Sequence, residues 1–124
     1  KPLAKLGANY DIIAERRMAI EQARLLTLKA ADAIDRHGAR NAKDLIGAIK
    51  IVAPQMAQTV ADRAIQIFGG MGVSDDVPLA EILATQRFIR LADGPDEVHA
   101  SQLGKFKIAQ YAKPGAGWNN ISET

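Results

Sequence analysis

The sequence predicts an all-α protein, an antiparallel four-helix bundle, and three observations carry that reading. The 124 residues are 48% hydrophobic and 24% charged but only 5% aromatic, a composition of soluble helical proteins rather than β-rich or disordered ones. Apolar residues recur at helical spacing along most of the chain. Short breaks rich in Gly, Pro and Asp separate these stretches, which suits antiparallel neighbours.

The first helix is expected from about Tyr10 to Asp35, a stretch without Gly or Pro. Ile13, Ile20, Ala23, Ala30 and Ile34 share one helical face, and Arg16, Arg17, Glu21, Arg24 and Lys29 lie mainly off it. His37-Gly38 ends it, because glycine takes the left-handed conformation that helix C-termini often need. Asn41 then reads as an N-cap, with Asp44 as a short version of its usual partner. The second helix carries the clearest stripe: Leu45, Ile49, Val52, Met56, Val60, Ala64 and Ile67. Such a stripe is expected to be buried against other helices. Pro54 falls inside and is expected to kink or divide the helix, since it has no N–H to give.

Phe68-Gly69-Gly70-Met71-Gly72 stops that helix. A third is expected to start near Pro78, with Asp75 and Asp76 ahead of it, Leu79, Ile82, Leu83 and Ile89 on its apolar side, and Asp93-Gly94 at its end. Pro95 opens the fourth helix, with Asp96 and Glu97 in the first turn, where the helix dipole favours acid. It is expected to run to about Ala112 with Leu103 and Phe106 inward. Residues 1–113 thus form the expected domain, and 114–124, starting Pro114-Gly115-Ala116-Gly117, a flexible tail.

Several function classes fall away. A net charge of +2, with Lys and Arg scattered among 14 acidic residues, gives no basic face for nucleic acid. Two separated His and no Cys make a metal site improbable. No apolar run reaches the roughly 18 residues of a membrane span, and no signal peptide is visible. The expectation is a soluble intracellular protein, with cytoplasm, mitochondrion and peroxisome left open. The chain opens on Lys1-Pro2-Leu3 without Met, so a domain of a longer protein is expected.

Chemistry concentrates at the breaks. Asp93 stands between two helical patterns at a Gly-Pro junction. It is either a helix-end residue satisfying backbone N–H groups or a carboxylate held in a cleft as a general base. Gly69, Gly70 and Gly72 either let the backbone approach a ligand or simply make a sharp turn. Gln66 beside them either caps its helix or touches a ligand. His99 reads as a hydrogen-bonding residue, and Met18, Met56 and Met71 as core filler.

In order and spacing these words resemble the C-terminal helical domain of the acyl-CoA dehydrogenases, over roughly residues 1–113. The motifs are Lys1-Pro2-Leu3, then Gln66-Ile67-Phe68-Gly69-Gly70-Met71-Gly72, the Pro78-led helix, and the Asp93-Gly94 pair. The resemblance implies α,β-dehydrogenation of an acyl-CoA thioester, with Asp93 at the position of the catalytic base. It also implies FAD as cofactor, with Gln66, Gly69, Gly70 and Gly94 at flavin-contacting positions. Of these, Gln66, Gly69 and Gly70 would meet the flavin of a neighbouring subunit, so a homodimer or homotetramer is implied. An electron-accepting flavoprotein is a further implied partner.

Three departures stand out. Most of the family has Glu at the catalytic position, whereas Asp93 is one methylene shorter. The word Asp-Gly-Pro-Asp-Glu-Val-His resembles a subgroup related to family members ten and eleven in human nomenclature. Pro95 replaces a residue whose hydroxyl and N–H reach the flavin elsewhere. Ala84-Thr85 stands where an Arg-Asp pair is usual, so that pair's role does not carry over. Because the family builds most of its flavin and acyl pocket from two other domains, this chain alone is expected to fold without being catalytically competent. The alternative reading is a structural or oligomerisation bundle with no small-molecule activity.

Overall fold

The computed structural model describes residues 2–113, and the expected tail of residues 114–124 lies outside them. Four α-helices follow a short 3-10 turn at Leu3–Lys5: α1 (Gly7–His37), α2 (Lys43–Phe68), α3 (Leu79–Ile89) and α4 (Asp96–Tyr111). A second 3-10 turn, Gly69–Val73, joins α2 to α3. Among the described residues there is no strand, and the four-helix all-α architecture is the one expected.

Helix α2 is the hub, because α1, α3 and α4 each pack principally on it. Its three buried positions are small or compact, Gly47, Pro54 and Ala61, which lets neighbouring backbones come close. The helix runs unbroken through Pro54 instead of dividing there. Its neighbours enclose that segment, and packing offsets the hydrogen bond that Pro54 cannot give to the Lys50 carbonyl.

The apolar stripes are only partly inward. On α1, Ala23 and Ala30 are buried, but Ile13 and Ile34 are exposed. That helix has one helical partner, so only a narrow line of it is covered. On α2 the stripe is mostly half-buried and Val52 is exposed. Leu103 on α4 is half-buried as expected of an inward residue, whereas Phe106 is exposed. Met56 is half-buried, but Met18 and Met71 are exposed and do not fill a core. No large side chain among the described residues is fully buried.

Helix ends show which local signals won. The α1 terminus is closed by Gly38 at φ 77°, whose N–H donates to the Ile34 carbonyl. Asn41 is not an N-cap: its Nδ2 donates backward to the His37 carbonyl at 2.8 Å, and Ala42 occupies the cap of α2. Asp44 instead pairs with Lys107 of α4 at 3.2 Å. The carbonyls left open at the end of α1 attracted the amide more than the N–H groups of α2 did.

Candidate active site

Helix α3 ends at Ile89, four residues before the Asp93 expected to end it. Residues 90–93 form turns in which the N–H groups of Leu91 and Ala92 both donate to the Phe88 carbonyl. The next carbonyl, Ile89 O, receives Lys50 Nζ at 2.5 Å instead of continuing the helix. The same ammonium donates to Ala92 O at 2.8 Å and Gly94 O at 3.4 Å. Lys50 on α2 therefore holds the carbonyls on both sides of Asp93. The carbonyl of Asp93 itself lies 3.2 Å from His99 Nε2.

A second clamp closes across the loop. Arg90 Nε donates to Asp96 Oδ2 at 2.8 Å, which ties the residue after α3 to the first residue of α4. Arg90 also reaches Gln58 Oε1 at 2.8 Å, and Gln55 Nε2 donates to Asp96 Oδ2 at 3.2 Å, so both ends of the loop are moored on α2. Burial pushes the Asp96 carboxyl up, but the hydrogen bonds from Arg90 and Gln55 and the charges of Arg90 and Lys50 outweigh it. The group is held below its ordinary value near 3.8. Asp96 is thus more than the dipole partner its position suggests.

Within this frame Asp93 is exposed and has φ 53°, the only positive φ at a non-glycine among the described residues. Aspartate tolerates the left-handed region better than most residues, at a modest cost. Gly94 follows at φ 98°, and a Cβ there would meet His99 Nε2 at 3.1 Å, so glycine is required on both counts. Pro95 occupies the cap position of α4 in extended conformation. The result is an exposed carboxylate on a backbone whose carbonyls are hydrogen-bonded by Lys50 and His99.

The glycine segment lies elsewhere. Gln66 is exposed on the last turn of α2, and Gly69 and Gly70 are exposed beyond it. Gly69 has φ 65°, and a Cβ built on Gly69 or Gly70 would meet nothing within 4 Å. Gly72 differs, because a Cβ there would lie 2.8 Å from the Ile65 Cα and carbonyl oxygen. Gly72 is therefore explained by packing, and Gly70 by neither crowding nor a positive φ. Along α2, Lys50 and Gln66 are sixteen positions apart, about 24 Å at 1.5 Å rise per residue. One copy of the chain does not bring Asp93 and the Gln66–Gly70 segment into one site.

Lys50, Arg90, Gln55 and Gln58 were not singled out by sequence. Lys50 did carry a signal: it interrupts the run Ala48-Ile49-Lys50-Ile51-Val52-Ala53, with no acid three or four positions away on either side. A cation so placed must find its partners on another element.

This is an all-helical domain with an exposed carboxylate at one helix junction and an open glycine turn at another. Residues 1–108 match the family model of the acyl-CoA dehydrogenase C-terminal domain, and the chain belongs to the acyl-CoA dehydrogenase family. It is 47% identical over 110 residues to "Probable acyl-CoA dehydrogenase FadE2" of Mycobacterium tuberculosis, covering 89% of this chain and 27% of that protein. It is 52% identical over 101 residues to human "Acyl-CoA dehydrogenase family member 11", covering 82% of this chain and 13% of that protein. A solved structure from Mycobacterium abscessus, assigned to the acyl-CoA dehydrogenases, superposes with a TM-score of 0.85 at 50% identity. That alignment covers 90% of this chain and 28% of the other. The chain thus spans about a quarter or less of these relatives.

Proposed function

We propose that this domain supplies the catalytic base and a flavin-contacting turn to a flavin-dependent acyl-CoA dehydrogenase, with Asp93 as the base. The observation that carries the proposal is the exposed Asp93 carboxylate on a backbone held by Lys50, His99 and the Arg90–Asp96 clamp. In the reaction, an Asp93 carboxylate oxygen takes the proton from the carbon α to the thioester carbonyl. The electron pair of that C–H bond becomes the new α,β double bond as the β-hydrogen departs with its own pair. When bound, FAD supplies the acceptor for that hydride.

The Gly69–Gly70 backbone fits a contact with such a planar group, because both glycines are exposed and a Cβ built on either meets nothing within 4 Å. Gln66, Gly69 and Gly70 are the residues assigned to that contact, and Gly94 is assigned to the edge nearest the base. The separation of about 24 Å along α2 supports a division in which the glycine turn serves the site of a neighbouring subunit. A homo-oligomer, dimer or tetramer, follows from that division. An electron-transferring flavoprotein is a fitting acceptor for the electrons. Among the described residues no helix is long and apolar enough to cross a membrane.

In the full-length flavoprotein carrying this domain, Asp93→Asn is expected to abolish acyl-CoA dehydrogenation while FAD stays bound. Dehydrogenation at the wild-type rate would remove Asp93 from the base role. The 124-residue chain alone is expected neither to hold stoichiometric FAD nor to reduce it with an acyl-CoA. The reading of the domain as an association module is favoured by one feature, the uncovered apolar residues of α1 such as Met18, Leu25 and Leu28. Association and catalysis are compatible here, since the proposed site spans two subunits.

A further inference from the structure

We propose that Lys50 is the positioning residue for the Asp93 carboxylate, an inference that rests on Asp93 being the base. The geometry is that of one ammonium bonded to three carbonyls, Ile89, Ala92 and Gly94, the last two on either side of Asp93. An ammonium has three N–H donors and no acceptor capacity. All three donors are used by backbone carbonyls, and two of these, Ala92 and Gly94, flank Asp93 and brace the backbone from which its Cα–Cβ bond projects. Charge-assisted bonds of this kind are stronger than neutral ones. They are also partly buried here, so bulk water competes with them less.

Two further features give the arrangement its direction. The Lys50 stem lines an apolar groove together with Ile46, Ile49, Ala53 and Ile89, which leaves the carbonyls as the polar destination for its head group. Asp93 is also in the left-handed region, a conformation that a loop left to itself would seldom hold. Without the Lys50 bonds the turn keeps only the His99 contact and the Arg90–Asp96 clamp, and the carboxylate shifts as the turn relaxes between them. Displacement of a reacting group by about 1 Å costs on the order of 100-fold in rate.

The test uses the full-length flavoprotein. Lys50→Met keeps the length of the stem and removes the donors, and Lys50→Arg keeps charge and donors on a planar fork that matches three converging carbonyls less well. The limiting rate of flavin reduction at saturating acyl-CoA is measured with ordinary and α-deuterated substrate, beside FAD content and substrate affinity. Lys50→Met is expected to slow the limiting rate about 10- to 100-fold and to raise the α-deuterium isotope effect, with FAD content and affinity near wild type. Lys50→Arg is expected to recover part of the rate. A wild-type rate and isotope effect in Lys50→Met overturns the proposal, as does a slower rate that follows FAD loss with the isotope effect unchanged. Where Lys50→Met gives no soluble holoenzyme, Lys50→Arg decides alone, a slower rate with a raised isotope effect supporting the proposal and wild-type values overturning it. Flavin reduction retained by Asp93→Asn would instead remove the base itself, which separates that failure from a failure of Lys50.

Discussion

Glycines that look alike in the sequence have different physical tasks. Gly72 lies against the backbone of Ile65, where a methyl group would stand 2.8 Å from Cα and oxygen. Gly72→Ala is expected to destabilise the domain by about 1–3 kcal/mol through forced displacement of a close-packed turn, measurable as a lower midpoint in thermal or urea unfolding. Gly70→Ala meets open space and is expected to leave stability nearly unchanged while weakening FAD retention in the full-length protein. An unchanged FAD affinity in Gly70→Ala would detach this turn from the flavin. Asp93→Asn should fold normally, since Asn tolerates positive φ as well as Asp does. These distinctions were not legible in the word Gly-Gly-Met-Gly itself, because the contact of Gly72 with Ile65 depends on how the Gly69–Val73 turn folds back on α2.

At the scale of elements, charged side chains moor α4 at its first turn and in its C-terminal half. Its first turn is tied to α2 and to the end of α3 by Asp96, and its C-terminal half by Lys107 to Asp44. Because the folded state holds the Asp96 carboxyl below its ordinary value near 3.8, that state binds this proton less readily than the unfolded chain. The contribution of Asp96 is therefore fully present above about pH 4 and is lost as pH falls through the lower folded value. The stability advantage of wild type over Asp96→Asn is expected to be constant at neutral pH and to shrink below pH 4 in acid unfolding. An advantage independent of pH in that range would mean that the ionised form is not the one stabilised. Helix number, order and breaks were legible in the sequence, since Gly38, the Gly69–Gly72 cluster and Pro95 punctuate the chain locally. The early end of α3 was not, because it depends on Lys50, 39 residues away. The backward turn of the Asn41 amide was equally hidden, as either helix end could have taken it.

The described residues form a hub helix with three helical partners, and no large side chain among them is fully buried. Among the described residues the buried hydrophobic side chains are all alanines, while Leu25 and Met18 on α1 are about 60% exposed. Apolar patches of this kind mark contact surfaces. Replacing Leu25 and Leu28 with Glu is expected to weaken self-association on the order of 100-fold, at about 1.5 kcal/mol or more for each buried leucine. Sedimentation of the full-length protein reads this directly, and unchanged assembly would place the interface on another face.

Removal of the substrate α-proton by the Asp93 carboxylate, as proposed above, is tested most directly by mixing Asp93→Asn holoenzyme with excess acyl-CoA without oxygen and following loss of the oxidised-flavin absorbance. A rate at least about 100-fold below wild type, at equal FAD content and substrate affinity, is the predicted result. Flavin reduction at the wild-type rate would contradict it.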